Sequence, residues 1–131
     1  MSQDLIFLSA RLPAFPGYDD EATRGSADER VRAFVGVRLA KLRERVGRTI
    51  GASDRDRIDG LILRCEFADQ TYVVRLQHAR LDVAGVATLA KNDRALIESV
   101  AAADDAAPTD VPGLLTRVEG LLDARRGLAV G

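Results

Sequence analysis

The sequence predicts an all-α fold: a bundle of four to five helices behind an extended N-terminal arm. Three observations lead there. Apolar residues recur at three- to four-residue spacing over much of the chain after residue 30. There is no Trp and only 5% of residues are aromatic, so the 47% hydrophobic content is mostly aliphatic, which suits packed helices. Acidic and hydroxyl side chains stand where these segments would begin. At 131 residues the chain fits one domain, because two would each be too small for a good core. Residues 1–18 read as the arm and 19–127 as the helical body.

The arm holds Phe7, Phe15 and Tyr18, half of the six aromatic residues. Pro13 and Pro16 bias it toward extended backbone, with room for a short strand or helical turn at Asp4–Ala10. A solvated tail rarely carries three aromatics, so the arm is expected to dock, on its own core or on a neighbouring subunit. Asp19-Asp20-Glu21 reads as a helix start, Gly25-Ser26 as a break, and Ser26 or Asp28 as the next cap. From there Val31, Val35, Leu39, Leu42, Val46 and Ile50 form one apolar stripe, ended by Gly47 and Gly51.

Residues 58–77 admit two readings. As a helix capped near Ser53, Ile58, Leu61, Ile62, Cys65, Tyr72, Val73 and Leu76 make one stripe, and Leu63, Phe67 and Val74 a second, opposite one. A helix with two stripes has neighbours on both sides. The alternative is α+β, with a β-hairpin over this stretch flanked by helices. The absence of Gly or Asn at Ala68-Asp69-Gln70 argues against a tight turn, which favours the helix.

Asp82 caps a further helix, Lys91-Asn92-Asp93 reads as a joint, and Asp93 caps the next. Thr109 and Pro112 begin the last helix and Gly127 ends it. Within it Gly113-Leu114-Leu115 recurs as Gly120-Leu121-Leu122 after seven residues. Glycine costs a helix about 1 kcal/mol relative to alanine, so the row implies close approach by another helix.

The formal net charge of −1 steers the chain to no particular partner. Residues 31–50 are the exception, with six basic side chains against one acidic. Arg38, Lys41, Arg45 and Arg48 share one face of the helix at 30–48, a candidate basic contact surface. A pI near 5.8 and the lack of interleaved aromatics weigh against nucleic acid, and internal pairing is the simpler expectation. Cys65 is the only cysteine, which excludes an intramolecular disulfide and fits a cytoplasmic setting. The run Leu5-Ile6-Phe7-Leu8 is too short for a signal peptide, and no stretch is long enough to span a membrane.

No catalytic, metal or cofactor pattern emerges. On one helix Cys65 and His78 stand about 20 Å apart, too far for a nucleophile pair. Glu66 and Asp69 lack the histidine spacing of a carboxylate metal site, and no glycine-rich phosphate loop is present. What remains is apolar surface beyond the needs of a small bundle. It points to a non-enzymatic protein-interaction or adaptor module that forms a homo-oligomer. Its contacts would come from Phe7, Phe15, Tyr18, Gly113, Gly120, Leu114 and Leu121. The alternative is a small-molecule-binding protein or enzyme, with Glu66, Asp69, Tyr72 and His78 around a pocket between helices.

Overall fold

A computed structural model describes residues 2–67, 70–79 and 81–128. Among these residues there are six α-helices and no strand: α1 (Gln3–Arg11), α2 (Arg24–Val46), α3 (Ala52–Glu66), α4 (Gln70–His78), α5 (Val83–Ala101) and α6 (Val111–Leu128). Helices α2, α3, α5 and α6 form the body: α2 packs on α3 and α5, and α6 on α5 and α3. Helix α1 lies on α5, and α4 on α2.

The all-α reading holds and the hairpin over 58–77 does not. The count is six because two segments behave differently from expectation. The first is the arm. Ser2 accepts a hydrogen bond from the Leu5 N–H and starts a helix where extended chain was predicted. Leu8 on that helix is fully buried, so burial of an apolar face outweighs the pull of the downstream prolines. Only the stretch after Leu12 is irregular, and it ends with Tyr18 fully buried in the chain's own interior. Phe7 lies half-buried between the guanidinium groups of Arg11 and Arg94, 4.9 and 4.6 Å from its ring centroid. Phe15 meets Tyr18 edge-on at 5.6 Å.

The irregular stretch contains Ala14 at φ 57° and Gly17 at φ 83°. The left-handed region costs an L-residue about 1–2 kcal/mol and glycine almost nothing. Ala14→Gly is therefore expected to raise unfolding stability by up to about 1 kcal/mol in a urea titration, after the extra freedom of glycine in the unfolded chain is subtracted.

The second segment is 52–78. Ser53 lies inside the first turn of α3, and the N-cap is Gly51. Arg55 donates from Nη1 to the Gly47 and Ile50 carbonyls, which fixes the turn before the cap. The helix then stops at Glu66, where Phe67 is extended, and restarts at Gln70. The break redirects the inner stripe without changing its phase. Ile58, Leu61 and Cys65 belong to the main core with α2, α5 and α6. Tyr72 and Leu76 belong to a smaller cluster with Tyr18, Ala27, Val86 and Leu89.

Two predicted breaks are absent. Helix α2 runs through Gly25-Ser26, and α5 runs through Lys91-Asn92-Asp93. Asp28 and Asp93, expected as caps, are instead fully buried inside helices. Asp82 does cap α5, accepting from the Gly85 N–H. In α6 the inward positions are Val111, Leu115, Val118, Leu122 and Arg125, a four-three alternation with an arginine at its end. The row Gly113, Gly120 and Gly127 is exposed, and a Cβ at each would meet nothing within 4 Å. Within the chain a helix approaches closely at Gly36, where a Cβ would stand 3.1 Å from Cys65 Cβ.

Candidate functional site

The polar centre of the protein is a buried cluster built by four elements. Arg125 of α6 donates from Nε to Asp93 of α5 at 2.6 Å and from Nη1 to Asp28 of α2 at 2.7 Å. Its Nη2 donates to the Tyr18 hydroxyl at 3.2 Å. That hydroxyl in turn donates to Asp93 through a short hydrogen bond. Asp28 also accepts from Arg32 Nε at 2.7 Å, one helical turn along α2. A planar guanidinium suits this task because its N–H groups diverge in fixed directions. Burial pushes the Asp93 carboxyl up, and the bonds from Arg125 and Tyr18 pull it part of the way back. Burial, with the Asp93 charge beside it, holds the Tyr18 phenol well above its ordinary value.

A second buried arginine locks the periphery of this cluster. Arg24 gives its Nε to the Tyr18 carbonyl at 2.8 Å and its Nη1 to the Ala79 carbonyl at 2.6 Å. It thus joins the arm to the end of α4, where unsatisfied carbonyls favour a cation.

Above the cluster a cleft of about 190 Å³ opens between α2, α3, α4 and α6. Its charged border is Arg32, Arg64, Arg125 and Arg126, and its apolar wall is Phe67, Tyr72 and Leu122. The Arg125 guanidinium sits 5.8 Å from the Tyr72 ring centroid.

No family model matches the chain, and neither a curated protein nor a solved structure matches it. Its function is read from its own residues.

The pocket predicted from Glu66, Asp69, Tyr72 and His78 does not assemble as a group. Tyr72 is buried on the arginine cleft, whereas Glu66 is exposed and borders a neighbouring cleft between α2 and α3. His78 is exposed at the end of α4, and Asp69 lies outside the described residues. Cys65 faces α2 and is buried, and that burial pushes its thiol up to about 11. Among the described residues no three His, Cys, Asp or Glu side chains gather as a metal site. No helix there is long and apolar enough to cross a membrane.

The basic face of α2 divides. Arg38 pairs with Asp104 and lies 4.9 Å from the Phe34 ring centroid, and Arg45 donates to the Ala103 carbonyl at 2.6 Å. Lys41 remains exposed on α2, and Arg48, predicted on the same helix, is exposed in the turn after Val46 where α2 has ended. Two of the four cations are thus spent on the turn after α5. Leu114 and Leu121 are half-buried on the rim of α6, beside the exposed Gly113 and Gly120.

The buried Asp28, Asp93 and Arg125 were not among the sequence candidates. One signal was available. Arg125 continues the four-three spacing of Val111, Leu115, Val118 and Leu122, so a charge stands in an apolar register. The outer stripe of α3 and α4 was legible as a pattern, and its situation is now clear. Leu63, Phe67 and Val74 are 53, 71 and 51% exposed.

Proposed function

We propose that this chain is a non-enzymatic interaction module that pairs with a second copy of itself through the outer stripe of α3 and α4. The observation that carries this reading is the exposure of Leu63, Phe67 and Val74 on the side of the segment facing away from the core. A two-sided apolar segment implies neighbours on both sides, and the chain supplies one. Leu63 and Phe67 lie one helical turn apart and face outward together. Tyr18, the arm's largest aromatic, is consumed by the chain's own interior, and the glycine row of α6 meets nothing. Ile6, Val37 and Val83 are also exposed, but each stands on a different helix, whereas Leu63, Phe67 and Val74 follow one another along one segment. Phe67 belongs to it and Arg64 is next to Leu63 in the chain, and arginine and aromatic side chains are enriched where protein interfaces concentrate their energy.

Light scattering on the intact chain is expected to give the mass of a dimer at micromolar concentration. Leu63→Asp with Phe67→Asp is expected to give a monomer of unchanged helical content, because both side chains are more than half exposed. A monomeric wild type, or a double variant that still pairs, would overturn the reading.

A further inference from the structure

We propose that the arginine-bordered cleft binds a small organic anion, with its carboxylate or phosphate head among the guanidinium groups and a ring-sized apolar body against Phe67, Tyr72 and Leu122. The cleft is built within one copy and shares Phe67 with the proposed pairing surface, but its arginines and Tyr72 do not depend on pairing.

The first ground is charge. Four arginines border one opening of about 190 Å³. Arg32 pairs with Asp28, Arg64 with Asp123, and Arg125 with Asp28 and Asp93. Asp28 and Asp93 have no exposed side-chain surface and do not line the cleft. An anion inside the cleft therefore meets guanidinium groups and neither of these two carboxylates.

The second ground is unused donor capacity. A guanidinium offers five N–H groups. Among the described residues Arg64 uses one, on Asp123. Arg32 uses two, on Asp28 and the Cys65 carbonyl. Arg125 uses three, on Asp93, Asp28 and Tyr18. The remaining donors suit oxyanions, which guanidinium groups bind in paired hydrogen bonds.

The third ground is preorganisation. Arg125 is 2% exposed and held at three atoms, and Arg32 is tied at both Nε and Nη1. Side chains already fixed lose little rotamer freedom when a ligand arrives. The fourth is size. A cavity of about 150 Å³ holds benzene, so this one takes a single ring or a body of that bulk. It is below the roughly 300–1,000 Å³ of sites for larger ligands.

Calorimetry on the intact protein, at constant ionic strength, tests this with benzoate, phenyl phosphate and inorganic phosphate as probes. Saturable one-to-one binding of benzoate or phenyl phosphate is expected, and whichever binds more tightly identifies the head group. Arg64→Gln and Arg126→Gln should each weaken it by about tenfold, and Arg38→Gln, whose partner is Asp104, should leave it unchanged. Arg64 is a safe site because its one described bond, to Asp123, is at the surface. No saturable binding of either aryl probe up to about 10 mM would overturn the proposal. So would binding that both glutamine variants leave intact, or inorganic phosphate binding as tightly as the aryl probes. Light scattering on the same samples reads pairing separately.

Discussion

Arg125→Met is expected to lower stability by about 3–5 kcal/mol at neutral pH, close to the whole margin of a small domain. Methionine fits the space of the arginine stem, so the loss comes from charge. Asp28 and Asp93 would remain fully buried with their shared cation gone. Asp28 would keep Arg32, whereas among the described residues Asp93 would keep only the Tyr18 hydroxyl. The variant should also respond to acid in a characteristic way. The Asp93 carboxyl is already raised in the folded protein, and Arg125 is what restrains it. Removing Arg125 raises it further, so the folded variant takes up a proton more readily than the unfolded chain. A group with a raised folded pKa contributes stability that is present below its unfolded pKa and is lost as pH rises. The gap between wild type and variant should therefore narrow as urea titrations move from neutral pH toward pH 4, the region of an ordinary aspartate. Arg38→Met provides the contrast. Its ion pair with Asp104 is at the surface, where such pairs contribute about 1 kcal/mol or less.

Alkaline solution is expected to produce the second large effect. Burial pushes the Cys65 thiol from 9.0 to about 11 and the Tyr72 phenol from 10.0 to about 12. Nearby arginines, chiefly Arg32 at Cys65 and Arg125 at Tyr72, pull back without cancelling the effect. Both groups are held neutral by the fold and lose their protons more easily when unfolded. Their contribution is complete below about pH 9 and disappears as the pH rises through the folded values. A gap of about two pH units corresponds to roughly 3 kcal/mol for each group. The denaturant midpoint should hold steady up to about pH 9 and fall steeply by pH 12. Tyrosinate absorbance and thiol alkylation should appear together with the loss of helix. Rapid alkylation of Cys65 in the folded protein at neutral pH would refute the account of its burial.

The aliphatic stripes were legible because a helix buries one side at a fixed period. Val31, Val35, Leu39, Leu42 and Val46 are all in the core, as their spacing implies. The hairpin was correctly disfavoured by the lack of turn residues after Phe67. The break between α3 and α4 was not visible, since Cys65, Tyr72 and Leu76 keep helical phase across it. The polar centre was misread for a related reason. An aspartate within two residues of serine or asparagine has the local signature of a helix cap, and Asp28, after Ser26, and Asp93, after Asn92, both carry it. Whether such a residue caps or is buried depends on a cation elsewhere in the chain. Arg125 supplies it from 97 positions after Asp28. The same limit applies to the cleft. Arg32, Arg64 and the Arg125-Arg126 pair belong to three different helices, and only their packing puts them around one opening.

The position of Arg125 in the chain has a further consequence, for synthesis. At about 5–20 residues per second, the ribosome makes Asp28 roughly 5–20 s before Arg125. In that interval α2 and α5 can form their own turns, but docking them would bury both carboxylates without their shared cation. The nascent chain therefore meets an electrostatic barrier to early closure, which is lifted when the last turns of α6 emerge. A chain ordered this way postpones the closure of α2 on α5 until α6 can join them.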